Sequence, residues 1–173
     1  MLSSRKSISE LLKEWRYDEE LKESIVHWQT LEGREAKRAP LPNTLHPSLV
    51  KALQARGIQE LFTHQREAYD FAMEGKSFTA VTPTASGKSY CYHLPVLQRI
   101  LEDNNARALY LFPTKALAQD QKNDLNELIE QSGEEILSYT FDGDTAPAIR
   151  QKIRKAGHIV MTNPDMLHAG ILP

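Results

Sequence analysis

One cysteine, Cys91, stands in 173 residues, which excludes an internal disulfide and any zinc site built from several thiolates. Its place in a segment of helical pattern reads as packing rather than reactivity. Excess positive charge is also lacking. Lys and Arg number 21 against 23 Asp and Glu, the net charge is −2 and the pI about 6.3, so any contact with a polyanion must be local and directional. The longest apolar runs, such as "ALYLF" at 108–112, fall far short of the ~20 residues that cross a bilayer, and no membrane partner is expected. The opening "MLSSRKSISELLKEW" has neither the apolar stretch nor the small-residue cleavage site of a secretory signal, which makes a cytoplasmic location the default expectation. No internal repeat and no low-complexity tract interrupts the text.

What remains is the composition of a globular protein, 40% apolar and 25% charged, with length for one domain and some additional N-terminal structure. From Ser9 to about Leu31, the residues Leu11, Leu12, Trp15, Leu21, Ile25 and Trp28 recur at roughly helical spacing, predicting one or two amphipathic helices. The polar, then proline-punctuated "EGREAKRAPLPNTLHP" reads as a surface linker, which divides residues 1–40 from a second domain over 41–173. "PSLVKALQARGI" predicts a short helix stopping at Gly57. Beyond it the pattern alternates: helix "HQREAYDFAMEG", strand "SFTAVT", helix "GKSYCYHLPVLQRILED", a buried strand in "ARALYLF", helix "TKALAQDQKNDLNELIEQ", strand "LSYTF", helix "APAIRQKIRK", strand "HIVMT" and a last helix from Pro164 to about Gly170. Such alternation argues an α/β fold with a parallel sheet covered on both faces. Pro95 inside a predicted helix is expected to kink it.

The stretch "FTAVTPTASGKSYCY", Phe78 to Tyr92, turns from strand to helix through Gly-Lys-Ser. Loop N–H groups and the next helix N-terminus then face a phosphate, Lys88 reaches the β and γ phosphates, Gly87 lets the backbone approach, and the Ser89 hydroxyl is placed to ligate Mg²⁺. Thr82 stands where the first glycine of the full P-loop pattern belongs. ATP and Mg²⁺ are the expected cofactors, with Thr82, Pro83, Thr84, Ala85, Ser86, Gly87, Lys88 and Ser89 as the nucleotide loop; Lys88 and Ser89 are its catalytic members.

Thr-Pro-Thr-x-Ser-Gly-Lys-Ser resembles the first motif of superfamily 2 helicases of the DEAD/DEAH-box type, with Ala85 replacing the commoner glycine. Further stretches follow in that family's order. "GIQELFTHQREA" resembles the Q-motif region, which implies Gln65 at the adenine edge, its amide offering a donor and an acceptor; His64 reads as packing or capping. "FPTKALAQDQ" resembles motif Ia. Pro113, Thr114, Leu117 and Ala118 match, while Asp120 takes the place of a glutamine, between Gln119 and Gln121; Thr114 and Lys115 at a helix N-terminus can hold a nucleic-acid phosphate. "FDGDTA", Phe141 to Ala146, is by itself a turn, and the resemblance places Asp142 and Gly143 against a nucleic-acid backbone. "MTNPDMLH" resembles motif Ic, with Thr162, Asn163 and Pro164 beside a phosphate.

Over nearly the whole chain the text is similar to the opening region of the bacterial YprA/MrfA helicases, RecQ-like repair motors. The resemblance implies a partial RecA-like domain preceded by helices, an intact protein that is an ATP-dependent 3′ to 5′ DNA helicase, single-stranded DNA as partner, and a second motor domain elsewhere in the same polypeptide. It also implies that the strand carrying the Asp-Glu motif would come after Pro173, so that this stretch alone is expected to be inactive. "YDEE", Tyr17 to Glu20, is not that motif, because no strand precedes it. Two other classes fit the phosphate loop: a small-molecule phosphotransferase, for which no Arg-rich lid segment is visible, and a non-catalytic interaction fragment.

Overall fold

The computed structural model describes residues 6–32, 35–83 and 86–172. The chain forms two compact units, Met1–Glu35 and Ala36–Pro173.

In the first unit, α1 (Ile8–Tyr17) opens on a reciprocal cap: the Ser7 hydroxyl accepts from Glu10 N while the Glu10 carboxylate accepts from Ser7 N at 2.8 Å. α2 (Glu19–Ser24) is capped by Asp18, whose carboxylate accepts from Leu21 N at 3.0 Å. The acidic run "YDEE" is therefore the junction of two helices. Neither helix buries a residue, and the Arg16 guanidinium lies 5.3 Å above the Trp28 ring.

The second unit begins with β1 (Arg38–Pro40), which pairs antiparallel with β2 (Glu60–Phe62). Residues 38–40, read from sequence as linker, thus belong to a two-stranded ribbon. Between these strands lies α3 (Pro47–Ala55), with proline at its first position and Gly57 beyond its end at φ 73°, a conformation that glycine adopts without strain. α4 (Thr63–Met73) follows β2 directly. α5 (Tyr90–Glu102) runs through Pro95 as one helical segment; the ring removes a single N–H from the ladder and is itself buried.

From there the alternation holds: β3 (Ala108–Leu111), α6 (Lys115–Ser132), β4 (Ser138–Thr140), α7 (Pro147–Ala156), β5 (Ile159–Thr162) and the short α8 (Pro164–Met166), which passes into a π-helical turn over Leu167–Ile171. β3, β5 and β4 form a parallel sheet in that spatial order, with Tyr110 opposite Met161 and Thr140 opposite the same residue. This is an α/β architecture, a parallel sheet flanked by helices.

The core lies on the sheet face that carries Tyr110, Ile159 and Met161. Leu49 and Leu53 of α3, Leu94 and Leu97 of α5, and Leu125 and Leu128 of α6 are fully buried there. Their three- and four-residue spacings put each pair on one helix face, and each burial stabilises by roughly 1.5–3 kcal/mol. Arg56, at the end of α3, braces these helices by donating to Asp124 (2.8 Å), Gln131 (2.6 Å) and the Tyr90 hydroxyl (3.1 Å).

Two expectations are corrected. "SFTAVT" forms no strand: residues 76–83 carry no regular element, and Val81 is 88% exposed. Its residues have the right propensity, but a strand needs a neighbour for its backbone groups, and among the described residues none pairs with it. "ALYLF" is buried on one face only, because Leu109 and Leu111 on the other face remain about half exposed. No helix among the described residues is long and apolar enough to cross a membrane.

Candidate nucleotide and nucleic-acid site

The phosphate loop closes around its own lysine. Lys88 Nζ lies 2.7 Å from Pro83 O, 3.0 Å from Thr82 O, 3.2 Å from Thr82 Oγ1 and 3.3 Å from Ser86 Oγ. Three ammonium hydrogens thus meet four neutral oxygens, a set that holds one charge without a counter-charge. Thr84 and Ala85 lie outside the described residues.

Gly87 leads into α5 at φ 72°, and its carbonyl accepts from Gln65 Nε2 at 2.8 Å. The other end of the Gln65 amide accepts from Phe62 N at 2.9 Å, and the side chain is 3% exposed. Both ends of the residue expected at an adenine edge are therefore engaged, joining β2 to the phosphate loop. His64 stacks on Phe62 and its Nε2 donates to Ser86 O at 3.1 Å, so α4 grips the loop at two consecutive carbonyls. Cys91 is buried, with its thiol pKa raised by that burial, as packing requires.

Ser89 sits just before α5 and donates its hydroxyl to Gln121 Oε1 at 2.8 Å. Among the described residues no three His, Cys, Asp or Glu side chains cluster as a metal site. A magnesium ion fits this donor set only as a guest of the nucleotide: one hard hydroxyl oxygen from Ser89, with phosphate oxygens and water for the rest, which is how magnesium is commonly held.

The C-terminal ends of the three parallel strands form a second cluster. After β3, Pro113 is exposed and Thr114 caps α6, accepting from Leu117 N at 3.2 Å. Lys115 is exposed and pairs with Asp144 at 2.7 Å. That bond raises the Lys115 pKa and lowers that of Asp144.

After β4, Asp142 organises its own loop: its carboxylate accepts from Asp144 N (3.0 Å) and the Thr145 hydroxyl (3.1 Å), leaving Gly143 exposed at the tip. Arg150 of α7 clamps the loop from behind. Its guanidinium donates to Thr145 O (2.7 Å), Asp142 O (3.1 Å) and Gly143 O (3.3 Å) and lies over the Phe141 ring. At the end of β5, the Thr162 hydroxyl points inward, donating to Phe141 O at 2.6 Å, and the residue is 3% exposed. Asn163 caps α8 by accepting from Met166 N at 2.8 Å, with Pro164 at the first helical position. A shallow cleft is lined by Thr114, Lys115, Asp142, Thr162 and Asn163.

The fold thus gathers the loop residues around Lys88 in one place and the ends of β3, β4 and β5 in another. Two contributors were not picked out from sequence. Gln121 falls on the inward stripe Ala118, Gln121, Leu125, Leu128 of α6, and a polar residue on an apolar stripe is the signal that marks it; Asp120, which occupies the motif position, faces solvent. Arg150 carries no such signal, because its three acceptors are backbone carbonyls of a loop.

A family model described as DEAD/DEAH box helicase matches residues 62–172. The ATP-dependent helicase YprA of Bacillus subtilis is 56% identical over 169 residues, covering 98% of this chain and 22% of YprA. The ATP-dependent helicase hrq1 of Schizosaccharomyces pombe is 38% identical over 96% of this chain and 16% of its own length. The crystal structure of the DUF1998 helicase MrfA bound to DNA and AMPPNP superposes with a TM-score of 0.84 at 56% identity, covering 97% of this chain and 23% of that one. The chain spans about a fifth of the length of these relatives. With the family match over residues 62–172 and the phosphate loop, strand ends and sheet order laid out as above, this chain belongs to the DEAD/DEAH box helicases.

Proposed function

We propose that the chain is the nucleotide-binding part of the first RecA-like motor domain of an ATP-dependent DNA helicase, with 3′ to 5′ polarity and a role in DNA repair in the cytoplasm. The observation that carries this reading is the Lys88 ammonium held among four neutral loop oxygens. A triphosphate replaces those acceptors with anionic ones, and charge-assisted hydrogen bonds are roughly twice as strong as neutral ones. Nucleotide entry thus draws Lys88 off the loop and onto the β and γ phosphates. Ser89 supplies its hydroxyl to Mg²⁺, which neutralises phosphate charge when bound. Gln65 reads the adenine edge by exchanging Phe62 N and Gly87 O for the base, so that base recognition releases the loop.

Single-stranded DNA lies on the ends of β3, β4 and β5, where Pro113, Thr114, Lys115, Asp142, Gly143, Thr162, Asn163 and Pro164 stand. The Thr162 hydroxyl is committed to Phe141 O, so at that position the phosphate meets backbone and the Asn163 turn. Such contacts position a strand without reading its sequence. They need only helix N-termini and one lysine, consistent with a net charge of −2. The DNA-bound and AMPPNP-bound MrfA structure supports both ligands by similarity. The test is ATP hydrolysis by the intact protein with and without single-stranded DNA: DNA-stimulated turnover that Lys88→Ala abolishes is expected, and turnover unaffected by that change overturns the reading.

A further inference from the structure

Two hydroxyls at the start of the nucleotide helix end on one atom. Gln121 Oε1 accepts from Ser89 Oγ at 2.8 Å and from the Tyr92 hydroxyl at 2.6 Å. An amide oxygen has two acceptor sites and nothing to donate, so both hydroxyls must donate to it. The consequence for Ser89 is a fixed polarity. Its hydrogen is directed into α6, and the oxygen's lone pairs are left on the side away from Gln121. A free serine hydroxyl turns its hydrogen in any direction, including toward a cation, where it is repelled.

Gln121 is in turn held in place. It lies one turn from Ala118 and one from Leu125, both buried, on the packed face of α6. Tyr92 has an edge-to-face contact with Tyr110 at 5.2 Å, which fixes the ring whose hydroxyl steadies the amide. The start of α5 is thereby joined to α6 through one side chain.

We propose that Gln121 is a positioning residue of the nucleotide site: its amide oxygen, steadied by Tyr92, takes the Ser89 hydrogen and so presents the Ser89 lone pairs to the magnesium ion of a bound nucleotide. This rests on the reading of Ser89 as the metal-facing hydroxyl. Partners behind a metal ligand that orient it in this way are worth roughly 10–100-fold in metal affinity.

The test is binding of AMPPNP to the intact protein, measured once with Mg²⁺ and once with EDTA; the ratio of the two affinities is the magnesium gain. Gln121→Leu is expected to cut that gain about tenfold while leaving the EDTA affinity within about twofold. Gln121→Glu, which keeps an acceptor oxygen at the same reach, is expected to retain the gain. Gln121→Asn keeps the amide but withdraws it by one carbon, and is expected to lose the gain as Leu does; it serves if the Leu variant does not fold.

A Leu or Asn variant with the full magnesium gain overturns the proposal, as does an equal loss in both buffers, which marks a purely structural role. Ser89→Ala separates the two readings. If Ser89→Ala loses the gain and the Gln121 variants keep it, the proposal alone falls. If Ser89→Ala itself keeps the gain, the assignment of Ser89 falls and the proposal with it.

Discussion

A Cβ placed on Gly87 would stand 2.6 Å from Gln65 Nε2. Gly87 is thus required twice, by its φ of 72° and by the amide pressed against it. Gly87→Ala is expected to cost about 1–2 kcal/mol from the left-handed backbone alone, with the displaced Gln65 adding to it. Gln65→Ala relieves the crowding but leaves Phe62 N and Gly87 O without this partner, at about 1–3 kcal/mol for each group that stays buried. The double variant is therefore expected to be more stable than the sum of the single losses predicts. Chemical denaturation of the four proteins measures this coupling.

Among the described residues Lys88 bonds only to its own loop, so its loss should affect nucleotide binding more than folding. Lys88→Met is expected to lower AMPPNP affinity by at least tenfold while moving the thermal midpoint little. Calorimetric titration and a melting curve on the same sample check both halves.

Lys115 and Asp144 neutralise one another on an exposed edge. Asp144→Asn frees the lysine, and single-stranded DNA affinity is expected to rise several-fold, more at low salt than at high salt because exposed charges are screened. Lys115→Ala acts in the opposite direction. The Asp144 carboxyl is held below its ordinary 3.8 by the lysine, so the pair's contribution is complete above that value and lost only as pH falls through the lowered one. Fluorescence anisotropy from pH 6 to 8 should accordingly find the Asn effect independent of pH.

His93 is fully buried, and desolvation lowers its pKa from 6.5 to about 4. Between those values the unfolded chain binds a proton that the folded chain refuses, so stability falls as pH drops from 6.5 toward 4, by on the order of 3 kcal/mol. Its Nε2 has no partner among the described residues, and the Tyr110 hydroxyl that meets Nδ1 at 3.3 Å also has Tyr92 O at 3.5 Å. His93→Leu is expected to flatten the acid limb between pH 7 and 5. Urea midpoints at the two pH values measure it; an unchanged limb assigns the acid loss to other groups.

Arg150 spans three carbonyls of the 142–145 loop. Arg150→Ala is expected to speed amide exchange across that loop and to weaken single-strand binding, and Arg150→Lys is not expected to restore either, because an ammonium lacks the planar fork that reaches all three. Hydrogen exchange read by mass spectrometry locates the effect.

The residues by themselves determined much of this protein. Helical periodicity predicted α3, α4, α5, α6 and α7 close to their observed spans, because apolar spacing and stop residues such as Gly57 act within a few residues of chain. β3, β4 and β5 were legible for a similar reason: each is a short run of β-forming residues between two helices. The phosphate loop was legible as spacing, Gly-Lys-Ser after small residues. Tertiary structure alone decided the rest. Residues 78–82 have the composition of a strand and form none, because pairing depends on a neighbour and not on propensity. Residues 38–40 look like linker and pair with β2 for the converse reason. Gln65 to Gly87, Ser89 to Gln121 and Arg150 to the 142–145 loop join positions whose partners lie in other elements or on backbone atoms. Side chain type does not encode such a partner; it is set when the helices pack on the sheet and bring donor and acceptor to hydrogen-bonding distance.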